Sequence, residues 1–120
     1  MNTNKQEVTV TKFSPITIKG IVTIFQTSNA YGFVDIEIWV DGSRLAVTRG
    51  WRVIDASKSG GSVFKLDAPA YRAGLKWHKS VYFELPIYKE LAKVIIPIFE
   101  SCPDIITSKQ IDEIGKEEIK

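Results

Sequence analysis

The stretch Phe33-Val34-Asp35-Ile36-Glu37-Ile38-Trp39-Val40-Asp41-Gly42 decides the fold. Successive side chains of a strand point to opposite faces, so Val34, Ile36, Ile38 and Val40 make one apolar face. Phe33, Asp35, Glu37 and Trp39 then point the other way. Asp41-Gly42 suits the positive backbone angles of a two-residue hairpin, so a return strand is expected at Arg44 to Thr48. Upstream, Ile16, Ile18, Val22 and Ile24 share a face within residues 16–26, with Gly20 read as a bulge or bend. Val8 to Phe13 alternates weakly. These segments read as an antiparallel meander.

Beyond Gly50 the pattern thins. Trp51 to Ile54 and Val63 to Leu66 are expected as short strands, separated by a flexible loop at residues 57–61. Ala68 to Lys79 reads as an exposed loop, punctuated by Pro69 and Gly74. Val81, Phe83 and Leu85 alternate with Tyr82 and Glu84 as one last strand. Helical period then takes over, with Ile87, Leu91, Val94, Ile95 and Ile98 on one stripe. Pro97 lacks a backbone donor and is expected to kink or end that helix. Thr107 to Gln110 has the spacing of a capping box, which allows a short second helix through Ile111 and Ile114. The expected class is α+β: a meander of five to seven strands followed by a C-terminal helix. Residues 1–100 are read as one domain and residues 101–120 as a mildly acidic, mobile tail.

The 120 residues, 44% apolar and 25% charged, suffice for one domain with its own core. Cys102 is the single cysteine, so no internal disulfide forms, which suits a reducing compartment. No apolar run approaches the roughly 20 residues of a membrane helix, and the N-terminus lacks a secretory pattern. A cytoplasmic protein without membrane association is expected.

The net charge of +2 conceals an asymmetry. From Gly42 to Phe83, eight basic residues (Arg44, Arg49, Arg52, Lys58, Lys65, Arg72, Lys76, Lys79) face two acids (Asp55, Asp67), a net +6. From Glu84 onward the balance is −3. Aromatic residues interleave with the cations in two clusters: Arg49, Trp51 and Arg52, then Tyr71, Arg72, Lys76, Trp77 and Lys79. Single-stranded DNA or RNA calls for this pairing, because cations neutralise phosphates while flat side chains stack on unpaired bases. Phosphates are therefore assigned to Arg49, Arg52, Arg72, Lys76 and Lys79, and stacking to Trp51, Tyr71 and Trp77. The Ala68–Lys79 segment is read as a clamp that orders on binding. Packing of Trp51 in the core and of Trp77 against the sheet is the competing reading. The rival function is a protein-interaction module in which the same segment grips an acidic partner, and the acidic tail is a further protein-binding candidate.

Catalytic chemistry is not expected. With one histidine (His78) and one thiol, no Cys/His zinc cluster forms within the chain. Ser59-Gly60-Gly61-Ser62 lacks the lysine and helix of a phosphate-binding loop. Asp35, Glu37 and Asp41 have the chemistry of a hard-metal or acid/base group, but neighbouring segments add no ligand, and a solvated outer face is the preferred reading. His78 is read as an exposed loop histidine. No cofactor or metal is expected. The outer face of the long strands carries Ile21, Phe25, Phe33 and Trp39, too apolar to stay wet. Phe25, Phe33 and Trp39 are assigned to a homodimer interface, the commonest soluble assembly.

From Gly20 to roughly Phe99 the order of features resembles the sporulation protein G (SpoVG) family. The carrying residues are Gly20-Ile21-Val22-Thr23-Ile24, the run from Phe33 to Gly42, Arg44-Leu45-Ala46-Val47 and Phe83-Glu84-Leu85-Pro86-Ile87. The resemblance implies a small α+β fold, homodimerisation through strand pairing, and regulatory binding of DNA or RNA. Two departures stand out: the segment between Val47 and Phe83 is longer than in that family, and the tail from Ser108 is net acidic where relatives carry a basic patch. The resemblance thus moves the nucleic-acid contact into the insertion. Coactivator- and Whirly-type single-strand binders are a second, weaker likeness.

Overall fold

The computed structural model describes residues 4–56, 63–103 and 105. Five strands form one antiparallel sheet in chain order: β1 (Asn4–Val10), β2 (Ile16–Ile24), β3 (Gly32–Val40), β4 (Ser43–Asp55) and β5 (Phe64–Asp67). A separate two-stranded hairpin, β6 (Ala70–Ala73) and β7 (Lys76–Lys79), follows, and then one helix, α1 (Leu85–Glu100). The architecture is the expected α+β meander with a C-terminal helix.

Alternation dictates the central register. Ile18 pairs with Ile38 and Val22 with Val34, which places the apolar faces of β2 and β3 together beneath α1. Asp41 (φ 49°) and Gly42 (φ 77°) make the two-residue turn, with Val40 paired to Ser43. Gly20 is not a bulge: it pairs in unbroken register with Val8 and Ile36. Its role is close approach, since a Cβ there would lie 3.4 Å from Ile95 Cδ1 of the helix and 3.2 Å from Val8. Gly32 does the same for Phe99, whose ring would meet a Cβ at 2.7 Å.

Return strand and Trp51 segment merge into the single 13-residue β4. Two register shifts accommodate this length, one between Val34 and Ile36 and one between Ile38 and Trp39. At the first, Arg49 and Gly50 together stand opposite Asp35, the two-against-one arrangement of a β-bulge. The bulge restores alternation, so Trp51 and Val53 point into the core.

The helix buries Leu91, Ile95, Ile96 and Phe99. Leu91 and Ile95 belong to the expected stripe, whereas Ile87, Val94 and Ile98 are only partly buried. Pro97 does not end the helix, which continues to Glu100 because burial of Phe99 on the next turn outweighs one missing bond near the end. No strand forms at residues 81–84. Pro86 sits at the helix start, where its missing donor costs nothing, and Phe83 lies flat on Trp51, ring centroids 5.5 Å apart. Packing continues past the expected domain boundary, with Cys102 half-buried and Ile105 buried in the core. The second helix expected near residues 107–114 and the loop at residues 57–61 lie outside the described residues. No helix among the described residues is long and apolar enough to cross a membrane.

Candidate nucleic-acid interface

Residues 70–79, expected as a loop, instead form a β-hairpin. Ala70 pairs with Lys79, Tyr71 with His78, Arg72 with Trp77 and Ala73 with Lys76, around a turn at Gly74 (φ 66°) and Leu75. Four-residue strands without a sheet fall below what a strand signal resolves, and the aromatic and basic residues mask their alternation. All eight strand residues are exposed. The base is closed by Ser80, whose backbone N–H (2.9 Å) and hydroxyl (3.0 Å) both donate to Pro69 O.

Pairing sorts the expected site residues by face. Ala70, Arg72, Trp77 and Lys79 share one side; Tyr71, Ala73, Lys76 and His78 share the other. Tyr71 stacks on His78 with centroids 5.5 Å apart and remains 53% exposed. Trp77 is 70% exposed, and Leu75 at the tip is 91% exposed. Arg72 Nε donates to Gly74 O at 3.1 Å, which holds the guanidinium against the turn.

Trp51 is removed from the site. It is 1% exposed, covered by Phe83, and its indole N–H donates to Thr48 Oγ1 at 2.9 Å. The Thr48 hydroxyl in turn donates to Ile36 O at 3.2 Å, so the one polar atom of the ring is satisfied inside the core. The structure thus corrects the assignment of Trp51 to base stacking: no base reaches it. Arg49 is on the surface at the bulge, 4.0 Å from Asp35.

Asp67 is the residue that sequence reasoning missed. It faces Arg52 directly across β4 and β5, and Arg52 Nη2 donates to Oδ2 at 2.8 Å. Lys79, arriving from the hairpin, donates to Oδ1 at 2.5 Å. Burial pushes the Asp67 carboxyl up, but the bonds from Lys79 and Arg52 outweigh it and hold the pKa below the usual value of 3.8. The charge of Asp67 and, before it, burial raise the nearby Tyr88 phenol, which donates to Leu66 O. Asp67 was legible only as a rare acid in a basic stretch. Beside it a cleft of about 580 Å³ opens between β4 and the hairpin, lined by Gly50, Arg52, Asp67, Pro69, Trp77 and Lys79 among others.

The outer face of the sheet is wired internally. Trp39 Nε1 donates to Glu37 Oε1 at 3.0 Å, Arg44 donates to Glu37 Oε2 at 3.2 Å, and Lys19 Nζ sits 4.4 Å from the Trp39 ring centroid. The Trp39 bond, aided by Arg44, holds Glu37 below its usual pKa. Phe25 and Phe33 pair at 5.1 Å near the other end of this face, and Phe25 is 42% exposed. Among the described residues no group of three or more His, Cys, Asp or Glu side chains could hold a metal ion.

The chain matches no family model, no curated protein and no solved structure. What fold and site define is a small α+β domain that presents a cationic, aromatic hairpin to solvent.

Proposed function

We propose that this protein binds single-stranded DNA or RNA without catalysis, through the β6–β7 hairpin and the adjoining cleft. One observation carries the reading: a solvent-exposed hairpin bears Tyr71, Arg72, Lys76, Trp77 and Lys79, and no carboxylate occurs from Ala68 to Phe83. Exposing two aromatic rings to water has no folding benefit, whereas each base stacked on such a ring contributes about 1–3 kcal/mol. Arg49 and Arg52 extend the cationic path from the hairpin onto β4. A cytoplasmic location and kinship with the sporulation protein G family belong to the same proposal, as does a homodimer formed through Phe25 and Phe33. Trp39 already has partners within its own chain, which narrows that interface to the phenylalanine end.

Fluorescence anisotropy with labelled single-stranded DNA, duplex DNA and RNA of equal length, at two salt concentrations, tests the reading. Salt-sensitive binding of a single strand is expected, with quenching of tryptophan emission. A specific feature favours the rival protein-interaction module: Leu75, 91% exposed at the hairpin tip, suits an apolar pocket in an acidic protein. Absence of binding to every nucleic acid at low salt selects that rival. A steep linear fall of log affinity with log salt, from counterion release, selects nucleic acid.

A further inference from the structure

We propose that the cleft between β4 and the hairpin is a seat for one nucleoside phosphate unit, in which Asp67 is a positioning residue that fixes the two cations receiving the phosphate. This rests on the nucleic-acid reading of the hairpin and names the chemical unit it takes. Each oxygen of the Asp67 carboxylate carries one cation, Arg52 on Oδ2 and Lys79 on Oδ1, so guanidinium and ammonium are held side by side. The carboxylate side chain is only 11% exposed, whereas those of Arg52 and Lys79 are 43% and 52% exposed. Lys79 Nζ also donates to Ala68 O at 3.4 Å, which leaves its third N–H and the remaining guanidinium N–H groups of Arg52 for the cleft. Two positive charges against one negative leave +1, the complement of one phosphodiester. Fixing both side chains in advance removes much of the ordering cost of gripping a phosphate.

Trp77 supplies the other half of the seat. It lines the same cleft and stands two residues from Lys79 on one face of β7, about 7 Å along the strand. That offset suits a phosphate at Lys79 and its own base against the indole. The cleft volume, about 580 Å³, lies within the range of roughly 300–1,000 Å³ usual for small-molecule sites.

The test titrates the intact chain with uridine 5′-monophosphate, uridine, inorganic phosphate and oligothymidylate, following tryptophan fluorescence. The monophosphate should quench the emission, and uridine, which lacks the charge-assisted contacts to both cations, should bind at least about tenfold more weakly. Inorganic phosphate should bind without quenching. The decisive variant is Asp67→Asn, which makes the cleft more positive. A merely electrostatic surface would bind oligothymidylate more tightly; the seat requires binding of monophosphate and oligonucleotide to weaken about fivefold. Unchanged or tighter binding by folded Asp67→Asn overturns the positioning role. Should that variant fail to fold, Lys79→Gln, which keeps the Arg52 pair, must weaken the monophosphate and leave uridine unchanged. Oligonucleotide binding without monophosphate binding overturns the seat and spares the hairpin reading. Monophosphate binding without oligonucleotide binding keeps the seat as a free-nucleotide site and overturns the polymer reading.

Discussion

The hairpin and the outer face of the sheet are built from the same residue types, yet they differ in what those residues are left to do. On the outer face Arg44 and the Trp39 indole N–H both bond to Glu37, while Lys19 lies over the Trp39 ring and 3.6 Å from Glu7, so each of the three has a partner in the chain. On the hairpin Trp77 and Lys76 are exposed, and among the described residues only Lys79 meets a carboxylate. Aromatic and cationic composition is thus equal evidence for packing and for binding. What separates them is whether an acid lies within reach across the register. Glu37 stands beside Lys19 because β2 pairs with β3, whereas the hairpin pairs only with itself.

Substitutions at the three tryptophans sharpen this contrast. Trp51→Ala, the core control, should cost about 3–5 kcal/mol in urea unfolding, as expected for a buried aromatic ring. Trp77→Ala combined with Lys76→Ala should weaken single-strand binding at least tenfold, about 1.4 kcal/mol, while stability stays within about 0.5 kcal/mol. A large stability loss with unchanged affinity would instead make the hairpin a packing element. Trp39→Ala should reverse the pattern, lowering the melting temperature by a few degrees, about 1 kcal/mol, with oligonucleotide affinity unchanged. A loss of affinity at Trp39 would break the contrast and return the outer face to the site.

Acid titration separates the two carboxylates that organise these regions. Both Asp67 and Glu37 have folded pKa values below their usual 3.8 and 4.5, so their contribution is complete above those values. It is lost as pH falls below them, because protonation then favours the unfolded chain. Melting temperature measured from pH 6 down to about pH 2 should therefore fall on the acid side. Asp67→Asn should flatten that limb, and Glu37→Gln should do so more weakly because Glu37 has one ion-pair partner, Arg44, where Asp67 has two. An unchanged acid limb in Asp67→Asn would remove the Arg52–Asp67–Lys79 cluster from the stabilising contacts.

Much of the scaffold was legible in the residues. Val34, Ile36, Ile38 and Val40 with Asp41-Gly42 specify a strand, its inner face and its turn, since period-two alternation and positive backbone angles are local properties. Leu91 and Ile95 announce the helix by their spacing for the same reason. The candidate site was legible in composition but not in arrangement. Tyr71, Arg72, Lys76, Trp77 and Lys79 were selected correctly as surface residues, while Trp51, in an equally basic neighbourhood, proved to be core.

By itself the sequence determined the central strands β2 and β3 with their inner faces, the Asp41-Gly42 turn, the C-terminal helix, and the concentration of positive charge between Gly42 and Phe83. Those follow from alternation, turn chemistry and composition, which need no partner. Only the tertiary structure decided that the Arg49–Gly50 bulge rotates Trp51 inward, that Ala68–Lys79 is a hairpin standing clear of the sheet, and that Asp67 joins Arg52 to Lys79. Each of these depends on which strand lies beside which, and contacts between residues 12 to 15 positions apart leave no period in the chain to read.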